Sequence, residues 1–284
     1  MSFETGTTRP SVAGEPAAVG EPAAGVRRVG RLEPAALAGV MSRDVAIFGR
    51  NWRSTTFSSI VQPTVYLLAF GLGLGTLIAR VQHVSYVQYV ATGVVATAIL
   101  FSSAFPGMFN TFVRWQFQRT YDAILAAPVD VEELVTAEVL WISLRASVYG
   151  LAPLLVGIAF GLPPEVGMLL VVPIGFVTGF GFACFGVAIA AVAKTIDNFS
   201  YITSAVLTPL FLVAGTFFPI SKATNEGLWV AAQFNPLYHC VELVRNATFG
   251  DLGPGDLYHA AVLIVFALLM WRLAVSQLGR RLID

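Results

Sequence analysis

The chain has 284 residues, 56% of them hydrophobic and 12% charged, where a soluble domain carries roughly 25% charged residues. So little polar side chain cannot cover a water-facing surface, and the bilayer is the solvent that the composition fits. A formal net charge of zero removes any overall electrostatic case for binding nucleic acid.

Residues 1–34 are rich in Ala, Gly, Pro and Glu, and Glu-Pro-Ala-Ala recurs at 15–18, 21–24 and 33–36. Such a segment has too little apolar surface to offset its ordering entropy and reads as a disordered tail. It has no continuous apolar stretch of the kind a cleaved signal peptide needs. The remainder, 35–284, reads as one membrane domain.

Over 35–53, Leu37, Val40, Met41, Val45, Phe48 and Trp52 recur every three to four residues, while Arg43, Arg50 and Arg53 fall largely elsewhere. This predicts an amphipathic helix lying flat at the interface, with Trp52 and Phe48 toward lipid. Six apolar runs follow, at about 57–79, 86–109, 134–160, 166–192, 199–219 and 258–276. Each is near the roughly 20 residues that a spanning helix requires. The predicted fold is therefore an all-α polytopic membrane protein with six transmembrane helices.

With the N-terminus in the cytoplasm, the inner side holds nine basic residues (Arg43, Arg50, Arg53, Arg114, Arg119, Lys194, Arg272, Arg280, Arg281) and the outer side three (Arg80, Lys222, Arg245). The positive-inside rule then places both termini in the cytoplasm. His83, His239 and His259 fall outside and read as dispersed, so no metal site is expected. Cys184 and Cys240 read as packing residues, since one lies in an apolar run and the other in a polar loop.

The loop after the second run, Arg114 to Pro128, is dominated by helix formers and carries Trp115, Phe117, Tyr121, Ile124 and Leu125. It reads either as a short helix docking in a groove of a cytoplasmic partner or as a plain interfacial helix. The third run contains Glu138 and Arg145, seven residues and two turns apart, with Trp141 between them on the same face. Charges in a span face protein or water, so these three line a path for a polar group or fix the packing. Small residues at Gly71, Gly73 and Gly75, and at Gly175, Gly179, Gly181 and Gly186, allow close helix approach within one subunit or between two. Residues 217–257 are too polar to span. Within them 235–245 suggests a helix partly sunk in the outer leaflet, on which Glu242 and Arg245 form a surface pair. The only Lys-Thr, Lys194-Thr195, follows Ala191-Val192-Ala193 and lacks the glycine a phosphate-binding loop needs before its lysine. ATP, if used, is hydrolysed by another chain.

Together these stretches resemble the membrane subunits of type-2 ABC exporters, in particular the nodulation-type branch that exports lipo-oligosaccharides, with daunorubicin-resistance permeases as relatives. The likeness lies in Tyr66 to Gly75, Val84-Ser85-Tyr86, Gln118 to Leu125, Ala137 to Trp141, Phe217-Phe218-Pro219 and Glu242 to Arg245, and covers about 36–284. The resemblance implies a permease of the bacterial cytoplasmic membrane that is not itself an enzyme and that moves an amphipathic cargo, glycolipid or hydrophobic drug, outward. It implies two membrane subunits, identical or closely homologous, and two copies of an ABC ATPase that holds ATP and Mg2+. It makes about 115–127 the coupling helix, with Trp115, Arg119, Tyr121, Asp122, Ile124 and Leu125 as the contact set. It also implies an outer-leaflet helix pair, carrying His239, Glu242 and Arg245, before the last span. Competing readings are a secondary transporter, which would more often show an ion-binding carboxylate at mid-membrane, and a membrane enzyme acting on lipid-linked sugars. The enzyme would need clustered acids, whereas Glu132-Glu133 is an isolated pair that simply starts the third run.

Overall fold

The computed structural model describes residues 32–283 apart from 76, 79, 82, 83 and 224. Most of the predicted tail, and His83, lie outside the described residues. The first helix, α1 (Pro34–Tyr66), runs into a π-helical turn over Leu67–Leu72 and then α2 (Gly73–Gly75). The flat helix and the first apolar run are therefore not two separated helices, because nothing in 50–60 interrupts the backbone. Val40 and Asp44 are buried, and Phe48 packs edge-on against Trp141 at 5.6 Å between ring centres. Phe48 thus faces protein and not lipid, while Val45, Ile47 and Trp52 stay exposed.

A minimal antiparallel ribbon, β1 (Arg80–Val81) and β2 (Val84–Ser85), leads into α3 (Tyr86–Phe112). Ser85 starts α3 with a capping box: its hydroxyl accepts from the Gln88 amide, and Gln88 answers the Ser85 amide. A π-helical turn, Val113–Phe117, precedes α4 (Thr120–Leu125). Then come α5 (Val131–Tyr149), opened by the Asp130–Glu133 capping box, and α6 (Ala152–Ala159). A 3-10 turn, Val166–Leu170, opens α7 (Val171–Val192). The chain continues through α8 (Asn198–Ile202), a π-helical turn at Thr203–Leu207, α9 (Thr208–Leu212), α10 (Glu226–Gln233), α11 (Pro236–Phe249) and α12 (Pro254–Ile283).

Among the described residues, four helical stretches are long and apolar enough to cross a membrane: Tyr86–Phe117, Val131–Ala159, Val166–Val192 and Pro254–Leu282. Thr64–Gly75 and Asn198–Leu212 are apolar but shorter. The helix α7 is central and packs against α3, α5, α11 and α12. Its glycines make this possible. A Cβ on Gly186 would lie 2.5 Å from the Ala104 carbonyl of α3, and one on Gly181 would lie 2.6 Å from the Phe266 ring of α12. Gly175 and Gly179 meet the Ser147 and Ser143 backbone of α5, so this glycine stripe serves packing within the chain. The outer face of α12 leaves Ile264, Val265, Leu268, Leu269 and Leu273 exposed, a contiguous apolar stripe suited to lipid.

Candidate functional site

Two buried polar networks lie at opposite ends of the helices. The first gathers where α3 ends and α5 begins, the end that also carries Arg280 and Arg281. Arg114, one residue into the π-helical turn after α3, donates to Glu138 Oε1 of α5 at 2.6 Å and to both oxygens of Asp44 of α1 at 3.0 and 3.2 Å. Arg43 holds the same Asp44 at 3.0 Å. The second oxygen of Glu138 accepts from the Tyr121 hydroxyl of α4. Burial and the Glu138 carboxylate beside it raise the Tyr121 phenol well above its usual range, which keeps it protonated as a donor. Four separate segments thus meet on two carboxylates, and each charge has an opposite partner, as burial requires.

This arrangement revises the outward face expected of the loop. Tyr121 is fully buried and points into its own chain. Ile124 and Leu125 are half-buried against the same core, and Trp115 lies under the Arg281 guanidinium, 4.8 Å from the ring centre. The exposed side of the loop instead presents Phe117, Arg119, Asp122, Ala123 and Ala126. Arg119 and Asp122 pair with each other at 3.5 Å. Arg119 adopts a left-handed backbone conformation (φ 51°), unique among the described non-glycine residues. It turns the chain between Val113–Phe117 and α4, a strained geometry of the kind found at functional loops.

Beside this network lies a cavity of about 110 Å³, lined among others by Asp44, Phe48, Asn51, Thr55, Arg114, Glu138, Trp141 and Arg145. Glu138, Trp141 and Arg145 therefore do share one face. Glu138 and Arg145 do not pair, however; Glu138 is engaged by Arg114 and Tyr121. The N-terminus of α5 is fixed from a further side, because Glu133 accepts the Glu33 and Asp130 amides at 2.7 and 3.0 Å. The residue that sequence reasoning missed is Asp44. It lies between Met41 and Phe48 on the helix read as interfacial, and no local spacing signals its burial.

The second network lies at the other end. Arg245 of α11 is buried. It pairs with Glu242 at 2.8 Å, donates to the Gly215 carbonyl at 3.0 Å, and stacks on the Tyr89 ring at 3.9 Å. Tyr89 donates to the same carbonyl at 2.9 Å. The arginine of the pair expected at the surface is thus buried while Glu242 stays partly exposed, because α11 packs on α3, α7 and α12 instead of lying open. Gly215 has φ +75°, the left-handed turn that follows α9 and that glycine adopts without strain. Asn235 caps α11 and donates to the Leu210 and Val213 carbonyls at 2.7 and 3.1 Å. His239 and His259, read as dispersed, meet with their Nδ1 atoms 2.6 Å apart. The hairpin between α11 and α12 brings together residues 20 apart, which no short-range pattern reveals. No group of three or more His, Cys, Asp or Glu side chains suited to a metal occurs among the described residues.

The three glycines of the first apolar run divide. Gly71 and Gly75 would each place a Cβ 3.4 Å from Val87 of α3, whereas a Cβ on Gly73 would meet open space. Lys194 and Thr195 lie exposed in the turn between α7 and α8.

The family profile of the ABC-2 type transporter matches residues 36–249. Nodulation protein J of Sinorhizobium fredii is 31% identical over 247 residues, covering 84% of this chain and 94% of that protein. Nodulation protein J of Rhizobium leguminosarum bv. viciae is 29% identical over 245 residues, covering 84% and 94%. The inner membrane transport permease YadH of Escherichia coli is 25% identical over 251 residues, covering 86% and 95%. The chain belongs to the ABC-2 type transporter family and is a multi-pass membrane protein.

Proposed function

We propose that this family member is the membrane-spanning subunit of an ATP-driven exporter, in which each of two membrane subunits docks one copy of a separate ABC ATPase on its loop 113–130 and the two ATPases hold the ATP and Mg2+. The observation that carries this reading is the two-sided loop. Its inner side ends in the buried Tyr121–Glu138–Arg114–Asp44 chain, and its outer side exposes Phe117, Arg119, Asp122, Ala123 and Ala126. A push on the outer side cannot move α4 without moving Tyr121, and Tyr121 holds the carboxylate that links α5 to α3 and α1. That is a mechanical route from a docked ATPase to three helices. Trp115, Ile124 and Leu125 would then brace the loop from within, while Arg119 and Asp122 would form a polar rim of the contact.

Six spans follow if the shorter stretches Thr64–Gly75 and Asn198–Leu212 cross together with the four long ones. The excess of basic residues at the Arg280–Arg281 end supports both termini in the cytoplasm and the bacterial inner membrane as the site. The similarity to nodulation proteins J and to a transport permease supports export of an amphipathic cargo, lipo-oligosaccharide or hydrophobic drug. A second, identical membrane subunit would pack along the small-residue face of the first apolar run, and Gly73→Leu should weaken that association. The secondary-transporter reading is the poorer fit, because Glu138 is already occupied by an arginine and a tyrosine.

The test is co-purification of a co-expressed ABC ATPase with the variant Phe117→Ala/Ala123→Arg. Loss of an interface anchor commonly costs about 2 kcal/mol or more, so the ATPase should dissociate while the membrane subunit inserts and melts as before. Retention of the ATPase by this variant would remove the loop as its docking site.

A further inference from the structure

We infer that Arg145 is the recognition point for an oxyanion, a phosphate, sulfate or carboxylate carried on the headgroup of an amphipathic molecule that enters the cavity between α1 and α5. The proposal rests on the exporter reading for its biological sense, but its chemistry stands on three features of the cavity.

The first is charge. Asp44 and Glu138 are offset one for one by Arg43 and Arg114, each within salt-bridge distance of its partner. Arg43 binds Asp44 from outside the cavity lining, so the lining itself sets Arg114 and Arg145 against Asp44 and Glu138, and both carboxylates are already engaged by Arg114. Among the described residues Arg145 makes no salt bridge and no side-chain hydrogen bond, whereas Arg114 makes both. The second is depth. Arg145 lies fourteen residues into the apolar stretch Val131–Ala159, about 20 Å along a helix axis. An arginine held at that depth is costly unless it faces a partner or a polar cavity. The third is the company it keeps. The cavity wall opposite α5 supplies Asn51 and Thr55 from α1, and α3 supplies Asn110, all uncharged hydrogen-bonding groups, while Phe48 and Trp141 form an aromatic side. Ile47, Asn51 and Asn110 remain exposed, so the cavity is open on one side. A volume of about 110 Å³ accommodates a tetrahedral oxyanion but not a whole amphipath, whose tail must stay outside in the lipid. A guanidinium offers parallel N–H donors that match an oxyanion in geometry as well as charge.

The experiment is native mass spectrometry of the purified membrane subunit titrated with short-chain phosphatidic acid, short-chain phosphatidylcholine and inorganic phosphate. Parent protein should retain phosphatidic acid about ten-fold more tightly than phosphatidylcholine, the scale of one charge-assisted contact. Arg145→Gln should lose that preference and Arg145→Lys should keep part of it. Inorganic phosphate should compete only weakly, because it lacks the tail. If phosphate competes as well as the lipid, the site is one for free anions and the headgroup proposal fails. Asn51→Asp guards against a misfolded Arg145 variant: it adds a carboxylate to the exposed cavity wall and should also depress phosphatidic acid retention. Equal retention by parent, Arg145→Gln and Asn51→Asp overturns the proposal. The readout needs no ATPase, so it is independent of whether the loop 113–130 docks one.

Discussion

The two arginine-centred networks differ in how far apart their partners lie in the chain. Arg245 finds Glu242 three residues away and closes on a turn through Gly215 and Tyr89. Arg114 instead joins Asp44, 70 residues before it, and Glu138, 24 residues after it, with Tyr121 completing the set. The local network staples α11 and the turn after α9 to α3, and it can stay intact while helices elsewhere shift. The distributed one exists only while α1, α3, α4 and α5 keep their relative positions. A buried charge pair responds strongly to losing a partner, so the distributed network is a sensor of helix position, and the local one is a fastener.

The largest expected effect comes from cutting the distributed network. Glu138→Gln leaves Arg114 short of a partner in a buried site and should lower stability by about 3 kcal/mol, read as a fall in the thermal unfolding midpoint in detergent. Arg245→Gln at the other end should cost less, about 1–2 kcal/mol, because Glu242 is partly exposed and recovers water. If Arg245→Gln proved the more damaging, the distinction between sensor and fastener would be reversed. Gly215→Ala should cost about 1 kcal/mol through its positive φ, again read from the unfolding midpoint, and it should leave ATPase association untouched.

The smallest effect sharpens the comparison through pH. His239 donates from Nε2 to the Gln233 carbonyl at 3.0 Å and so, when neutral, accepts at Nδ1 from His259. Burial, reinforced by His259, pulls the His239 pKa below its ordinary value of 6.5, opposed by the Gln233 hydrogen bond and by Glu242. A depressed folded-state pKa means stability that is present above about pH 6.5 and declines as pH falls below it. Unfolding midpoints measured from pH 7.5 to 5 should show this decline, and His259→Phe should flatten it. A midpoint unaffected by acid in the parent protein would contradict the lowered His239 pKa.

Much of this was legible in the sequence because lipid enforces simple rules. Apolar runs of the right length gave the four long stretches, and 166–192 agrees with the observed bounds. The shared face of Glu138, Trp141 and Arg145 followed from helical spacing alone. What could not be read was which side of a short helix faces inward. In Thr120–Leu125, Tyr121, Ile124 and Leu125 form a patch that suits either a partner or the chain's own core, and only the buried carboxylate of Glu138 decides. Asp44 was hidden for a related reason: its partner lies 70 residues on, and pairing at that distance is set by packing rather than by any local signal.

The central claim is that Tyr121 carries ATPase-driven motion from the loop to the cavity. The direct measurement is maleimide labelling of Asn51→Cys in the reconstituted ATPase complex, without nucleotide and after vanadate trapping; the native Cys184 and Cys240 are buried and add little background. Labelling should change severalfold between the two states, and the change should vanish when Tyr121→Phe removes the hydroxyl while preserving the ring. If Tyr121→Phe shows the same nucleotide-dependent change as the parent, the Tyr121–Glu138 contact is not the coupling element.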